Sequence, residues 1–309
     1  MKHLFFFICI LLSVALGSFI LILVPHKKQV GGGGRLRIVC TTGIIADAVR
    51  VVGGDRVNVV ALMGPGVDPH LYRARESDVH TLSDADIIFY NGLHLEGRMA
   101  SVLEAMGSIA TVAVADALEQ SDIIQSDFEQ VFDPHIWHSV LLWKKVVHLI
   151  ESALALHDPS YKKMYKQNAR SYLNSLNELD MYVRDQTARI RPKQRALVTA
   201  HDAFGYFGAT YGFTVIGLQG MSTDAEVGVQ DIHHLVDFIV QNKIRAFFIE
   251  SSIPERNVQA VQQAVSARGW EVAIGPELFS DALGDADSDA DTYIGMITHN
   301  IDALVKALG

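Results

Sequence analysis

The chain has 309 residues, of which 49% are hydrophobic and 20% charged, with 26 Lys+Arg against 35 Asp+Glu. This composition excludes both a disordered chain and a basic nucleic-acid binder, and the length is enough for two sizeable cores. The only cysteines, Cys9 inside an apolar run and Cys40 in a strand-like one, exclude a disulfide framework and a zinc finger.

In chain order, the first element is Leu4 to Val24, 21 residues without a charge. At about 1.5 Å per residue such a helix matches the roughly 30 Å hydrocarbon core of a bilayer, whereas a cleavable signal usually has about 7 to 15 apolar residues. The small-residue site Ala15-Leu16-Gly17 is followed by more apolar residues, and no cysteine follows a small residue at the end of the run, as lipid attachment would require. The segment is therefore expected to be an uncleaved membrane anchor, with Gln29 to Gly34 and its four consecutive glycines as a flexible tether. Lys2 before the run and Lys27 and Lys28 after it leave the orientation open. Without residues 1–28, 23 basic residues face 35 acidic ones, a balance that suits cations as ligands.

Next come apolar, β-rich runs at Leu36 to Thr42, Val57 to Met63, Asp86 to Asn91 and Ala110 to Ala115, with stretches of helical period such as Ile44 to Val52 and Ala100 to Met106 between them. The pattern returns with Arg195 to Ala200, Phe213 to Gly217, Ile244 to Glu250 and Glu271 to Gly275, the last two separated by a helix-like Val258 to Ala267. The expected fold class is α/β: two lobes, each a mostly parallel four-stranded sheet flanked by helices. Between the lobes, Asp158-Pro159 reads as a helix start and Arg191-Pro192 as a stop. Tyr161, Tyr165, Tyr172, Leu176, Leu179 and Val183 recur there at spacings of three, four or seven, uninterrupted by Gly or Pro. One unbroken helix of about 32 residues, roughly 48 Å long, is expected as a backbone strut touching both lobes. The implied organisation is anchor and tether 1–34, N-terminal lobe 35–157, linking helix 158–191 and C-terminal lobe 192–309.

Thirteen histidines are too many for each to be a ligand, so position must sort them. In open parallel sheets ligands bind beyond the carboxyl ends of the strands, and four places follow an expected strand closely. Gly64-Pro-Gly-Val-Asp-Pro-His70 is the first, and Phe132-Asp-Pro-His135 repeats its Asp-Pro-His triplet. Proline fixes its own backbone and extends the residue before it, so both imidazoles are presented from stiff turns. Thr199-Ala-His201 and Phe279-Ser-Asp281 are the third and fourth. A single Asp-Pro-His reads most simply as a turn with a passenger histidine, but two copies point to a shared target. Three imidazoles and a carboxylate facing one another across two lobes form a metal site suited to Zn²⁺ or Mn²⁺, since Mg²⁺ and Ca²⁺ want an all-oxygen shell.

Other candidates weigh less. His138 reads as a neighbour of His135, His233-His234 as solvated, and His94 as cleft lining or plain loop. Asp281, Asp285, Asp287, Asp289 and Asp291 lack the glycine and glutamate of an EF-hand, so most of that run reads as a solvated loop. There is no Walker loop and no Gly-x-Ser-x-Gly elbow.

The segments GPGVDPHLY (Gly64 to Tyr72), YNGLHLE (Tyr90 to Glu96), DPHIW (Asp133 to Trp137), VTAHDAFGY (Val198 to Tyr206), GLQGMST (Gly217 to Thr223) and IESSIP (Ile249 to Pro254) are spread over both lobes. Together they resemble the metal-binding solute-binding proteins of ABC importers, the cluster A-I family, over roughly Leu36 to Gly309. The resemblance implies two α/β lobes joined by a long helix, a metal between them, and His70, His135, His201 and Asp281 as its ligands. Manganese-preferring members of that family usually carry Glu in the third position, whereas this chain has His201. Zinc specialists often carry a histidine-rich acidic loop before the second ligand, while Asp116 to Val131 has acids and no histidine. A Zn/Mn binder is therefore implied rather than a dedicated zinc scavenger, with Fe²⁺ as a further possible cargo. One departure is His138-Ser139, where members commonly have an acid soon after DPHxW.

The implied function is capture of the ion outside the membrane and delivery to an ABC permease by a monomer that is not an enzyme and binds no nucleic acid. Affinity is expected to fall below about pH 6 as the imidazoles charge, and the strut to limit hinge bending, so that release needs local movement of a ligand loop or one lobe. The rival readings are a metal-dependent hydrolase, which lacks a His-Glu-x-x-His motif here, and a surface adhesin that would need no metal.

Overall fold

The structure is a computed structural model that describes residues 34–125, 131–253 and 256–309. The apolar run Leu4 to Val24, and with it the expected anchor, lies outside the described residues.

The N-terminal lobe contains β1 (Leu36–Thr42), α1 (Gly43–Gly53), β2 (Val57–Met63), α2 (Glu76–Ser83), β3 (Ile87–Tyr90), α3 (Ala100–Ala105), β4 (Ala110–Ala113) and α4 (Val140–His157). After α5 (Lys162–Ala188) come β5 (Ala196–His201), α6 (Gly205–Tyr211), β6 (Thr214–Gln219), α7 (Val229–Asn242), β7 (Ala246–Glu250), α8 (Arg256–Ala267), β8 (Ala273–Leu278) and α9 (Tyr293–Leu308). Every strand expected from the sequence forms. The two sheets have the orders β2-β1-β3-β4 and β6-β5-β7-β8, and every pairing is parallel. Helix starts are set by short polar side chains: Thr42, Ser139 and Thr292 each accept a backbone N–H from the first turn of α1, α4 and α9.

The alternation of side chains along the strands distributes them among three cores. Leu36, Ile38 and Cys40 of β1 face one core, while Val39 faces a second one completed by Leu82 and Leu103. In the C-terminal lobe, Val198 and Ala200 of β5 face an outer core with Leu235, Ile239, Val261 and Val265, whereas Leu197 turns the other way. The inner faces of both sheets belong to one continuous core, which runs from Leu36 and Trp143 through Tyr165 and Leu176 to Phe248, Leu278 and Leu304. The lobes are thus welded along their inner faces, and a wide hinge motion would expose apolar surface at about 25 cal/mol per Å².

The linking α-helix is shorter than the expected 158–191 span: it runs 27 residues, Lys162–Ala188, about 40 Å. A 3₁₀ turn at Pro159–Tyr161 precedes it. There Arg56 pairs with Asp158 at 3.4 Å and lies 3.8 Å above the Tyr161 ring, which holds the entry in the tighter turn. At the other end the chain leaves the helix ahead of Pro192, because the residue before a proline disfavours helical geometry. The N-terminal half of α5 is tied to the first lobe: Asn168 Nδ2 donates to Val52 O at 3.0 Å and Tyr172 OH to Asp47 at 3.5 Å. Its C-terminal half is tied to the second, where Tyr211 OH donates to Asp180 at 3.0 Å and Tyr182 OH to Asp302 at 2.7 Å. At the start of α9, Tyr293 crosses back to the first lobe: its N–H donates to Asp47 at 3.0 Å, its OH to Trp137 O at 2.8 Å, and its ring stacks on Trp143 at 5.1 Å.

Candidate metal centre

Where the strand order of a parallel sheet reverses, a crevice opens beyond the strand ends. In the C-terminal lobe that point lies between β5 and β7, whose last residues are His201 and Glu250. His70 sits on the turn that follows β2, His135 just before the 3₁₀ turn leading into α4, and Asp281 three residues after β8. The two Asp-Pro-His turns close in the same way. Asp68 Oδ1 accepts the His70 N–H and Asp133 Oδ1 the His135 N–H, each at 2.9 Å. Gly66, at φ +67°, supplies the left-handed residue that bends the first turn back toward the cleft.

All four side chains converge, although they come from four separate segments, three loops and the end of β5. One ligand atom from each of His70, His135, His201 and Asp281 lies within 4.8 Å of the others, and all four residues are buried. His70 Nε2 stands 3.2 Å from His135 Nε2, His135 Nε2 is 3.5 Å from Asp281 Oδ1, and His201 Nε2 is 3.3 Å from Asp281 Oδ2. A tetrahedral ion with bonds of about 2.0 to 2.1 Å has donors about 3.3 Å apart; these three separations are close to that edge, while His70 Nε2 to Asp281 Oδ2, at 4.0 Å, is longer. Neither Asp281 oxygen has an aligned hydrogen-bond donor despite full burial, a state that a cation would satisfy.

Behind two of the three imidazoles stand carboxylates that orient the rings. Asp133 Oδ1 lies 2.7 Å from His135 Nδ1, and Glu250 Oε2 2.5 Å from His201 Nδ1, so each ring presents Nε2 to the centre. Glu250 also accepts the His201 N–H at 2.9 Å. The Ser280 carbonyl accepts from Trp137 Nε1 at 2.7 Å and from His138 Nε2 at 2.9 Å, which docks the loop carrying Asp281 onto the segment carrying His135. The second turn is held from the sheet as well. Asn91 Nδ2 donates to Pro134 O at 2.9 Å, and Asn91 N donates to the buried Glu96 at 2.7 Å.

Charge divides the imidazoles. Burial lowers His70 to about 4 and His135 to about 3, so both are neutral and ready to donate electron pairs at pH 7. Burial also acts to lower His201, but the Glu250 and Asp281 carboxylates outweigh it and hold this imidazole well above its ordinary value. Asp281 shows the converse: burial would raise it, yet His201, followed by the other two imidazoles, keeps it well below the usual carboxylate range. Burial pushes Asp133 up to about 7.

The remaining sequence candidates fall elsewhere. His138 is a brace for the Ser280 carbonyl, and burial lowers it to about 3. Ser139, the other half of the departure from the family pattern, caps α4. His233 and His234 are exposed on α7, and Asp285, Asp287, Asp289 and Asp291 are exposed. His94, at φ +66°, lines a cavity of about 550 Å³ with Tyr90, Glu96 and Glu104 that does not include the four converging residues. No role was read from the sequence for Glu250, the last residue of an apolar strand, or for Asn91, which directly follows one. A carboxylate as the last residue of such a strand was the available signal for Glu250.

Gly217 of β6 lies against the strand that ends in His201. A Cβ there would stand 2.5 Å from the His201 carbonyl carbon and closer still to the Asp202 nitrogen. Gly217→Ala is therefore expected to destabilise the fold by about 1–3 kcal/mol and to weaken metal binding with it, measurable as a lowered Tm and a smaller calorimetric affinity.

The chain is 47% identical over 283 residues to the zinc-binding protein TroA of Treponema pallidum (strain Nichols), spanning 91% of this chain and 92% of that one. It is 44% identical over 275 residues to the manganese-binding lipoprotein MntA of Bacillus subtilis (strain 168), spanning 89% and 90%. The solved structure of the periplasmic zinc-binding protein TroA superposes with a TM-score of 0.87 at 48% identity, covering 89% of this chain and 100% of that one. Fe(III)-bound YtgA from Chlamydia trachomatis matches with a TM-score of 0.81 at 26% identity, covering 89% and 98%. The family profile for ZnuA, zinc-uptake complex component A, periplasmic, matches residues 38–307, and the chain belongs to that family.

Proposed function

We propose that this protein is the extracytoplasmic solute-binding component of an ABC importer, that His70, His135, His201 and Asp281 hold its cargo ion, and that an ABC permease receives it. The observation that carries this reading is the convergence of three imidazoles and one carboxylate, buried and within 4.8 Å of one another. The donor set suits a borderline divalent ion, Zn²⁺ or Mn²⁺, and admits Fe²⁺. Relatives named for zinc, manganese and iron support the same range. Attachment through residues 1–34 would keep a monomer near its permease, and relatives named as lipoproteins support a membrane-attached location.

A transport role fits the donor count better than hydrolysis. Catalytic zinc keeps a coordination position for water or substrate, whereas four protein donors complete a tetrahedral shell. The test is isothermal titration of chelator-treated protein with Zn²⁺ and Mn²⁺, beside elemental analysis of protein purified without chelator. One ion per chain is expected for the wild type and none for a His70→Ala/His135→Ala double variant. Undiminished binding by that variant would overturn the assignment.

A further inference from the structure

His70 is the least secured of the four proposed ligands. It is 4% exposed, against 0% for His135 and His201 and 1% for Asp281. His135 and His201 each have a carboxylate behind Nδ1, but among the described residues none stands within 4.0 Å of Nδ1 of His70. Its position depends instead on its backbone turn, which Asp68 closes through Oδ1.

The other oxygen of Asp68 is held by the opposite lobe. Thr223 Oγ1 donates to Asp68 Oδ2 at 2.6 Å across 155 residues of sequence, and Thr223 is itself buried. The loop that carries Thr223 is set by Gln219 at the end of β6, whose Nε2 donates to the carbonyls of Thr223 at 3.0 Å and Ala225 at 2.6 Å. One residue further on, Asp224 pairs with Arg98 of the N-terminal lobe, a contact much more open to solvent. Residues 219–225 thus form a strap from the second lobe that reaches over the cleft and grips the turn presenting a first-lobe ligand.

We propose that Thr223 is a positioning residue for the metal centre: by fixing Asp68 from the opposite lobe it holds the His70 turn in its ligating geometry, so that retention of the ion depends on the strap being engaged. The proposal rests on the ligand assignment above. Its physical basis is preorganisation, because a ligand turn free to sample other geometries surrenders its donor sooner. Release then begins at His70, the outermost donor, when the strap lets go, and it needs no rotation of lobes that share one core.

The test uses full-length protein loaded with Zn²⁺ and mixed rapidly with an excess of a chromogenic chelator. Thr223→Val removes the hydroxyl at nearly constant shape and is expected to speed release about ten- to a hundredfold, the range that a hydrogen bond to a charged group commands. Thr223→Ser, which keeps the hydroxyl, should release at nearly the wild-type rate. Asp68→Asn should accelerate release too, and the Asp68→Asn/Thr223→Val double variant should be no faster than the faster single, because both remove one contact. Arg98→Ala should change the rate by no more than about fivefold, as suits an exposed pair.

The inference is overturned if Thr223→Val releases at the wild-type rate, if Thr223→Ser is as fast as Thr223→Val, or if the two single effects multiply in the double variant. Thermal melts of the ion-free variants check folding, and a Thr223→Val that fails to fold leaves the Asp68→Asn and Thr223→Ser arms to decide. Failure of the underlying ligand assignment is read separately, as wild-type protein that does not take up one equivalent of Zn²⁺.

Discussion

Replacing Asp281 with alanine is expected to abolish tight binding of Zn²⁺ and Mn²⁺ while the protein stays folded. Asp281 brings the carboxylate charge to the donor set, and His70, His135 and His201 all have Nε2 within 4.0 Å of its oxygens. It is held ionised because the cluster's positive character outweighs the penalty of its burial. In a site this dry the attraction between a divalent ion and a carboxylate is only weakly screened, and removing one partner of a buried ionic contact costs about 3–5 kcal/mol. That is roughly a hundred- to several-thousandfold in affinity. The fold should survive, because the Ser280 carbonyl contacts from Trp137 and His138 that dock this loop do not involve the Asp281 side chain. Competition titration against a chelator of known affinity measures the loss, and circular dichroism checks the fold. Wild-type affinity in the alanine variant would remove Asp281 from the ligand set.

Metal affinity is expected to rise with pH by about tenfold per unit through the neutral range, because each ion captured displaces a proton from His201. The sign follows from the site. In the ion-free protein Glu250 and Asp281 hold His201 protonated well above the ordinary imidazole value, whereas the ion-bound form requires Nε2 unprotonated. The free form therefore carries the extra proton, binding releases it, and affinity falls as pH drops. Between pH 7 and pH 5 the loss is about a hundredfold, and uptake by Asp133 below about 7 adds to it in the same direction. His70 and His135 join only near pH 4 and 3. Free imidazoles alone would place the whole effect near pH 6, so burial and the Glu250 partner widen the window on both sides. Calorimetry of Zn²⁺ binding at pH 7 in buffers of different ionisation enthalpy counts the protons: at least one should leave per ion, one from His201 and a further fraction from Asp133. A count of zero would mean that His201 is already neutral.

Much of the fold was legible because its determinants are local. The strand at Leu36–Thr42 and the one at Val57–Met63 match the apolar runs read from the sequence residue for residue. The repeated Asp-Pro-His turns were legible for the same reason, since proline and the Asx contact act over two residues. Where reading failed at an element's edge, a distant partner had intervened. Lys162 rather than Asp158 starts the long helix, with Arg56 paired to Asp158 from 102 residues away. The single inner core was not legible either. Leu197 and Phe248 look like ordinary strand residues of a separate lobe, and only packing against α5, α6 and α9 shows that they share a core with Leu36 and Trp143.

What the sequence by itself determined is the succession of elements, their parallel pairing into two sheets, and the residue types offered at the strand ends, because backbone period and turn chemistry act between near neighbours. Only the tertiary structure decided which nitrogen each imidazole presents, which of the three carries a proton, and that Thr223 grips the turn of His70. Apart from the orientation of His135, which its near neighbour Asp133 sets, those properties follow from through-space contacts between distant residues, 49 positions apart for His201 with Glu250 and 155 for Thr223 with Asp68, and in a buried site such contacts outweigh anything a side chain brings alone.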